Sequence, residues 1–340
     1  MSTNLSEIGE FGFIERVTRQ VIFRPEGVIQ AVGDDASVFE PRAGMVLLIT
    51  TDMLVEGVHF TLETTSFRLL GRKSLAVNLS DMAAMGAEPL DAYVCLAVPQ
   101  RLTLENLEDL YEGLREMGQE HRVNILGGDT TRSHGPLVIS IALTGCARKD
   151  LVVFRSGAQP GDLIYVTGTL GDAGAGLDLL LRGSAGSQGE GSPLVRAHLD
   201  PRPHVCEGRF LAERGFPRAM MDLSDGLASD LRHICKRSGV GAIVKEEAIP
   251  ISKELRHYAL ELGLNPVSLA LAGGEDYCLL LTVPAAKAAE MESAFEERFR
   301  RPIWRIGETT EDPRILLLNR QGVISEFPQG GWDSFRSLNS

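Results

Sequence analysis

The chain has 340 residues, 44% hydrophobic and 24% charged, with a formal net charge of −12. That length predicts two domains, and the composition is that of a soluble globular protein. The acidic balance argues against a broad basic face for nucleic acid, and no apolar run approaches the roughly 20 residues of a membrane span.

The first residues, "MSTNLSEIGEFGF", lack the basic n-region of a signal peptide. The five cysteines (Cys95, Cys146, Cys206, Cys235, Cys278) are scattered and never form C-x-x-C. That spacing fits neither a disulfide framework nor a zinc site, and the expected compartment is a reducing cytoplasm.

In chain order, "MVLLITTDML" (45–54) predicts the first clear strand. An Ala/Leu/Met-rich helical segment follows over 72–86. In 104–121, Leu104, Leu107, Leu110, Tyr111 and Leu114 share one helical face. "PLVISIALTGCA" (136–147), "DLIYVTGTLG" (162–171) and "YCLLLTVP" (277–284) predict further strands, and further helices begin near Asp172, Ser224 and Ala285. The Gly/Pro turn within 148–160 predicts a boundary between a domain at 1–148 and a second at 149–340. "RGSAGSQGEGSP" (182–193) reads as an exposed loop. The class is mixed α/β.

A set of acids follows apolar runs, beside Gly, Ser or Thr: Asp34 and Asp35, Asp52, Asp81, Asp129, Asp222 and Asp225, Glu275 and Asp276. Strand ends are where α/β proteins place ligand sites, and small neighbours let a ligand approach the backbone. Each acid alone also reads as a helix cap or a turn residue. Together, clustered carboxylates repel unless cations balance them, and hard oxygen donors suit Mg²⁺. Leu-Ser-Asp occurs twice, at 79–81 and 223–225, followed at near-equal distance by Gly-Gly-Asp and Gly-Gly-Glu. The flanking patterns do not repeat, so no duplication is inferred.

Several chemistries are excluded. There is no P-loop G-x-x-x-x-G-K-[ST], no H-R-D with D-F-G, no H-E-x-x-H and no G-x-S-x-G. "GTLGDAGAGLDLL" (168–180) lacks the G-x-G-x-x-G spacing of a dinucleotide site. Its glycines instead predict a close turn whose helix N-terminus is available to phosphate.

The ordered set "GDDASVF", "TTDMLVEGVHF", "KSLAVNLSDMAAMGAEP", "GGDTTR", "RSGAQPGD", "VTGTLGDAGAGL", "DLSDGLASDL", "GGEDY" and "GWDSF" resembles the thiamine-monophosphate kinases, and does so over nearly the whole chain. That family belongs to a superfamily with aminoimidazole ribonucleotide synthetase and selenophosphate synthetase. The resemblance implies two α/β domains of that superfamily's fold. The N-terminal domain would bind metal and ATP and form a homodimer, and the C-terminal domain would complete the nucleotide and substrate site. It implies transfer of the γ-phosphoryl of ATP to thiamine monophosphate, giving thiamine diphosphate. Several Mg²⁺ ions would be held by Asp35, Asp52, Asp81, Asp129, Asp222 and Asp225, with Thr50 and Thr51 at metal-shell positions. Tyr111, Gly128, Asp129, Arg155 and Ser224 match nucleotide positions, and His59, Glu275 and Trp332 match positions that hold the thiamine moiety.

The residue chemistry agrees with that expectation. A phosphate acceptor is already ionised near neutral pH, so no general base is required, and positioning with charge neutralisation carries the step. Trp332 suits stacking on the thiamine rings, or equally ordinary core packing. Two departures from the family pattern stand out: Ser334 where a His is frequent, and Phe154 before Arg155. Two alternatives remain at this level. One is an ATP-dependent synthetase of the same superfamily, against which the missing N-terminal Cys or Lys nucleophile signature counts. The other is a non-catalytic cation-binding protein.

Overall fold

A computed structural model describes residues 16–26, 28–30, 38–39, 43–183 and 191–328. The chain divides into two compact units: Met1–Met82 with Ala87–Asp150, and Ala83–Gly86 with Leu151–Ser340.

In the first unit the described elements are β1 (Val28–Gln30), β2 (Val38–Phe39), β3 (Met45–Val55), α1 (Phe67–Ala84), β4 (Glu88–Pro99), α2 (Leu104–His121), β5 (Asn124–Ser133) and β6 (Val138–Arg148). α1 ends in the second unit's short segment. β1 and β2 form a small antiparallel pair, and the main sheet has the order β3-β6-β4-β5. β3 and β6 run antiparallel in unbroken register from Met45↔Arg148 to Val55↔Val138. β4 and β5 are parallel, with a bulge at Ala92/Tyr93.

The period of two on β3 is visible in its burial. Leu47, Ile49 and Met53 are exposed, at 49%, 65% and 56%, while Leu54 is buried on the other face. α1 lies over that other face, because the Thr50 hydroxyl donates to Asp81 on α1. α2 buries Leu104, Leu107, Leu110, Tyr111, Leu114 and Met117, the stripe its sequence predicts. Its first turn is closed by Asn106 Oδ1, which accepts from the Thr103 amide at 3.0 Å. A buried polar knot ties the segment before β1 to the sheet. Arg24 Nη2 lies 2.7 Å from Asp91 Oδ1, and Asn124 Oδ1 accepts from the amides of Phe23 and Arg24.

The second unit holds β7 (Leu163–Val166), α3 (Asp172–Leu181), α4 (Pro193–Leu199), α5 (Val205–Glu213), β8 (Ala219–Asp222), α6 (Leu227–Ser238), β9 (Gly241–Lys245), α7 (Lys253–Leu262), α8 (Pro266–Ala272), β10 (Leu279–Val283), α9 (Ala288–Phe299), β11 (Trp304–Thr310), β12 (Ile315–Leu318) and β13 (Ile324–Glu326). Its seven-stranded sheet has the order β13-β12-β9-β11-β7-β10-β8. β7, β8 and β10 are buried throughout, so these short runs read as continuous apolar segments rather than alternating ones. Ile164, Val166, Met221, Leu227, Leu231, Ile234, Val244, Leu280 and Ile306 belong to one core cluster.

The predicted strand at 162–171 is shorter in the structure. β7 stops at Val166 because the ladder is only half made at Thr167: its amide donates to the Leu279 carbonyl at 3.0 Å, but its hydroxyl, not its carbonyl, accepts from the Leu279 amide at 2.8 Å and lies 2.7 Å from His204 Nδ1. His204 is buried, which pushes its pKa down to about 4. Most of the predicted loop at 182–193 lies outside the described residues, which resume with Gly191 and enter α4 at Pro193. Among the described residues no helix is long and apolar enough to cross a membrane.

Candidate functional site

The first unit carries Thr50, Thr51 and Asp52 on β3, Asp81 on α1, and Gly128 and Asp129 on β5. The sequence reads 72–86 as helical and Asp81, taken alone, as a helix cap. The structure bears out the helix and not the cap: Leu79-Ser80-Asp81 lies within α1, Phe67–Ala84. Nearly every side of α1 is buried, including Lys73, Ser74, Asn78 and Ser80, so its periodicity gives little contrast from which to read an end. Asp81 reaches the site sideways, accepting from Thr50.

Asp52 is next to it. Burial, then the Asp81 charge, pushes Asp52 up to about 6. A carboxylate pair with this raised affinity for a proton is a pair that stabilises a cation. His59 follows β3, and its Nδ1 accepts from the Val55 amide at 3.1 Å, which fixes the ring plane.

Gly128 and Asp129 do not end a strand; they lie inside β5, at exposed positions. Gly128 has φ +150°, and a Cβ there would fall 1.8 Å from the Val94 carbonyl oxygen, so no other residue fits. The register Asp52↔Ile141↔Val94↔Gly128 puts Asp52 and Gly128 level on the two outer strands. Three strand spacings separate them, roughly 14 Å. The sheet therefore brings Thr50, Asp52 and Asp81 together and leaves Asp129 on its far edge. Tyr111 lies in the buried stripe of α2, and burial followed by nearby Cys95 raises its hydroxyl well above its usual range. Asp35 lies outside the described residues.

In the second unit, two of the sequence motifs interlock. Asp222 ends β8, and Leu223-Ser224-Asp225-Gly226 lead into α6. β8 pairs with β10, with Asp222 opposite Leu279, so the "GGEDY" residues before β10 arrive beside the "LSDG" residues after β8. The Ser224 carbonyl accepts from the Glu275 amide at 2.7 Å, and the Leu223 carbonyl accepts from the Tyr277 amide at 2.9 Å. A Cβ at Gly274 would fall 2.6 Å from the Ser224 oxygen. Glu275 and Tyr277 both adopt left-handed backbone, φ +65° and +47°. Conformations of this kind in side-chain-bearing residues are held by surrounding structure and collect at functional sites. The near-equal spacing of the two Leu-Ser-Asp pairs has this basis only at 223–275. The pair at 79–129 sits on a helix and inside a strand, with no equivalent geometry.

Three further side chains shape this loop pair, of which the sequence reading singles out only Asp276, among the acids that follow apolar runs. Asp230, on α6, is 1% exposed, and its Oδ2 accepts from the amides of Asp225 and Gly226 at 3.2 and 3.1 Å. Burial, then the charges of Asp225 and Asp222, pushes it up to about 8. Asp276 accepts from the Gly171 amide through both carboxylate oxygens, at 3.1 and 2.8 Å. The start of α3 predicted to be available to phosphate is thus occupied by the protein's own carboxylate. Burial raises Asp276 well above the usual carboxylate range. His198 Nδ1 lies 2.8 Å from Glu275 Oε2. Asp230 and Asp276 carry a sequence signal, since both stand in the quoted motifs; His198, in "RAHLDP", has none.

Arg155 is exposed, on a segment that runs along β8, where the Phe154 carbonyl accepts from the Met220 amide at 2.9 Å. Trp332 lies outside the described residues. Among the described residues no three His, Cys, Asp or Glu side chains converge as a closed metal shell. Each unit nonetheless presents carboxylates whose charges oppose one another: Asp52 with Asp81, and Asp230 with Asp225 and Asp222.

Comparison with known proteins accords with this layout. Residues 33–147 match the family model of the AIR synthase related protein N-terminal domain, and residues 159–317 match that of its C-terminal domain. The thiamine-monophosphate kinase of Salmonella typhimurium is 38% identical over 328 residues, covering 96% of this chain and 98% of the relative. That of Bacillus subtilis is 35% identical, covering 96% and 99%. Among solved structures, the thiamine-monophosphate kinase of Stenotrophomonas maltophilia superposes with a TM-score of 0.82 at 35% identity, covering 93% and 97% of the two chains. AaThiL complexed with AMPPCP and TMP superposes with a TM-score of 0.75 at 31% identity, covering 98% and 99%. With the fold, the interlocked motifs and near-complete coverage in agreement, the chain belongs to the thiamine-monophosphate kinase family, built from the two AIR synthase related domains.

Proposed function

We propose that this protein phosphorylates thiamine monophosphate to thiamine diphosphate, with ATP as the phosphoryl donor. The observation that carries the reading is the family match over nearly the whole of both chains, including a relative whose complex holds AMPPCP and TMP. The mutually repelling carboxylates within each unit support it.

The transfer is a direct in-line displacement. A phosphate oxygen of thiamine monophosphate forms a bond to the γ-phosphorus of ATP, the bond from that phosphorus to the β–γ bridging oxygen breaks, and ADP leaves with the bond's electron pair. The acceptor oxygen is already ionised, so no side chain has to remove a proton, and none is assigned as catalytic.

The donor set fits a hard divalent cation: carboxylates and the Thr50 hydroxyl, with one carboxyl pushed up to about 6 by burial and then by its neighbour's charge. Asp35, Asp52, Asp81 and Asp129, with Thr50 and Thr51, would hold Mg²⁺ from the first unit, and Asp222 and Asp225 from the second. Bound Mg²⁺ supplies the positive charge that lets two polyanions meet. Arg155 adds a fixed cation for phosphate oxygens, and Ser224, Gly128, Asp129 and Tyr111 complete the nucleotide positions. His59, Glu275 and Trp332 hold the thiamine end.

The same reading assigns residues 1–148 to metal and ATP binding and to dimerisation, and residues 149–340 to completing the nucleotide and substrate site, in a cytoplasmic homodimer. The exposed apolar row Leu47, Ile49 and Met53 on β3 supports a sheet face covered by a second copy.

The test is direct. Folded protein with ATP, Mg²⁺ and thiamine monophosphate yields ADP and thiamine diphosphate in equal amounts, and chelation of Mg²⁺ stops it. Folded protein that forms ADP only with a different acceptor, or forms none, overturns the proposal.

A further inference from the structure

We propose that His198 is a positioning residue for the thiamine end of the substrate, acting through Glu275. The inference rests on the reading that Glu275 binds that end.

His198 is 5% exposed and sits in α4. Its Nδ1 lies 2.8 Å from Glu275 Oε2, while the Glu275 side chain keeps 25% exposure. One carboxylate oxygen thus lies at ion-pair distance from a buried ring nitrogen, without the alignment of a hydrogen bond, on a side chain whose remainder reaches the surface. A carboxylate presented this way accepts hydrogen bonds from the exocyclic amine of an aminopyrimidine, the ring at the end of thiamine remote from its phosphate.

The ring has little freedom to follow Glu275 if Glu275 moves. α4 packs against α3 at Gly176, where a Cβ would fall 2.0 Å from the Leu194 carbonyl oxygen. α3 is in turn capped by Asp276, the residue after Glu275. The Glu275 backbone is held from the other side by the Ser224 carbonyl, and its φ of +65° is one that a side-chain-bearing residue rarely takes unaided. His198 lies against the carboxylate itself, while the Ser224 carbonyl and the anchored neighbour Asp276 hold the Glu275 backbone that carries it. Preorganisation of a recognition group by a buried neighbour is what sets affinity at such a position.

The experiment measures KM for thiamine monophosphate and for ATP separately, with kcat and thermal midpoint, in wild type, His198→Phe, His198→Gln, Glu275→Ala and the His198→Phe/Glu275→Ala double variant. His198→Leu substitutes if His198→Phe does not fold. His198→Phe is expected to raise KM for thiamine monophosphate on the order of tenfold, with kcat and KM for ATP changing far less. His198→Gln, which retains a donor, is expected to recover most of the loss. The double variant is expected to be no worse than Glu275→Ala, since both changes act on one contact. If Glu275→Ala leaves KM for thiamine monophosphate unchanged, the assignment of Glu275 fails. If Glu275→Ala raises that KM and His198→Phe does not, His198 is not its positioning residue. Equal rises in both KM values with a lowered midpoint, or no recovery by His198→Gln, assign His198 to the packing of α4 and overturn the inference.

Discussion

Replacing Asp52 by Asn is expected to make the metal-free protein more stable while abolishing turnover. Asp52 is partly buried on β3 beside Asp81, and its pKa is raised from 3.8 to about 6, by burial first and by Asp81 second. A carboxyl whose folded pKa lies above its unfolded one binds more protons when folded. Its ionisation then weakens the fold progressively as pH rises from about 4 to about 6, and the full cost remains at higher pH. About two pK units at 1.36 kcal/mol each set a ceiling of about 3 kcal/mol. Asn keeps the volume and loses the charge, so Asp52→Asn should recover about 1–3 kcal/mol near pH 8, allowing for the polar amide that stays half-buried. Urea unfolding in the presence of a chelator measures this, run near pH 8 and again near pH 4, with m-values compared. The stability gap should close at the lower pH. Adding Mg²⁺ should raise the midpoint of the wild type more than that of the variant. A variant no more stable than wild type near pH 8, or a gap independent of pH, refutes the electrostatic account of this pair.

Three further outcomes are expected. Asp129→Asn should abolish turnover with an unchanged thermal midpoint, because the side chain is exposed on β5 and supports no core contact; activity near wild type would remove Asp129 from the metal and nucleotide positions. Ile49→Asp, at a position 65% exposed on the apolar face of β3, should be a monomer in light scattering where the wild type is expected to be a dimer; a variant that is still dimeric places the interface elsewhere. His204 titrates about 2.5 pK units below its ordinary value, so the unfolded chain takes up a proton between pH 6.5 and about 4 that the folded one refuses. Stability tied to this group is full above about pH 6.5 and is about 2 kcal/mol lower by about pH 5. His204→Gln should therefore lose less stability than wild type over that range in urea melts, and equal losses would refute the assignment.

Elements whose two faces differ were the ones legible in the sequence. α2 follows its predicted bounds because Leu104, Leu107, Leu110 and Leu114 face the core and the intervening residues face water. β3 is legible for the same reason. α1 is legible as a helix from its Ala/Leu/Met content, but not its first turn or its faces, since its polar Asn78 and Ser80 are as buried as its leucines and periodicity has nothing to contrast. The acids of the candidate site could be named from composition and motif, but not their arrangement. That Asp81 reaches Thr50 from the side of a helix, or that Asp276 fills the start of α3, depends on non-local packing that no spacing encodes. His198 was invisible because its only relation to Glu275 is spatial.

The pairing of β8 with β10 has a consequence for how this site tolerates change. The "LSDG" and "GGED" loops are fixed to each other by one ladder and by hydrogen bonds between their own backbones. The chain between them, which builds α6, β9, α7 and α8, makes a long excursion and returns to the same spot. Its surface turns can lengthen or shorten without shifting Ser224 against Glu275. Loop-length polymorphism should be absorbed at those distal turns, such as the one after α7 at Gly263, while a single inserted residue between Asp222 and Leu227, or between Gly273 and Leu279, would slip the two loops out of register. An insertion scan across 222–279 would show intolerant windows at both ends, and between them tolerance confined to the surface turns that join α6, β9, α7 and α8.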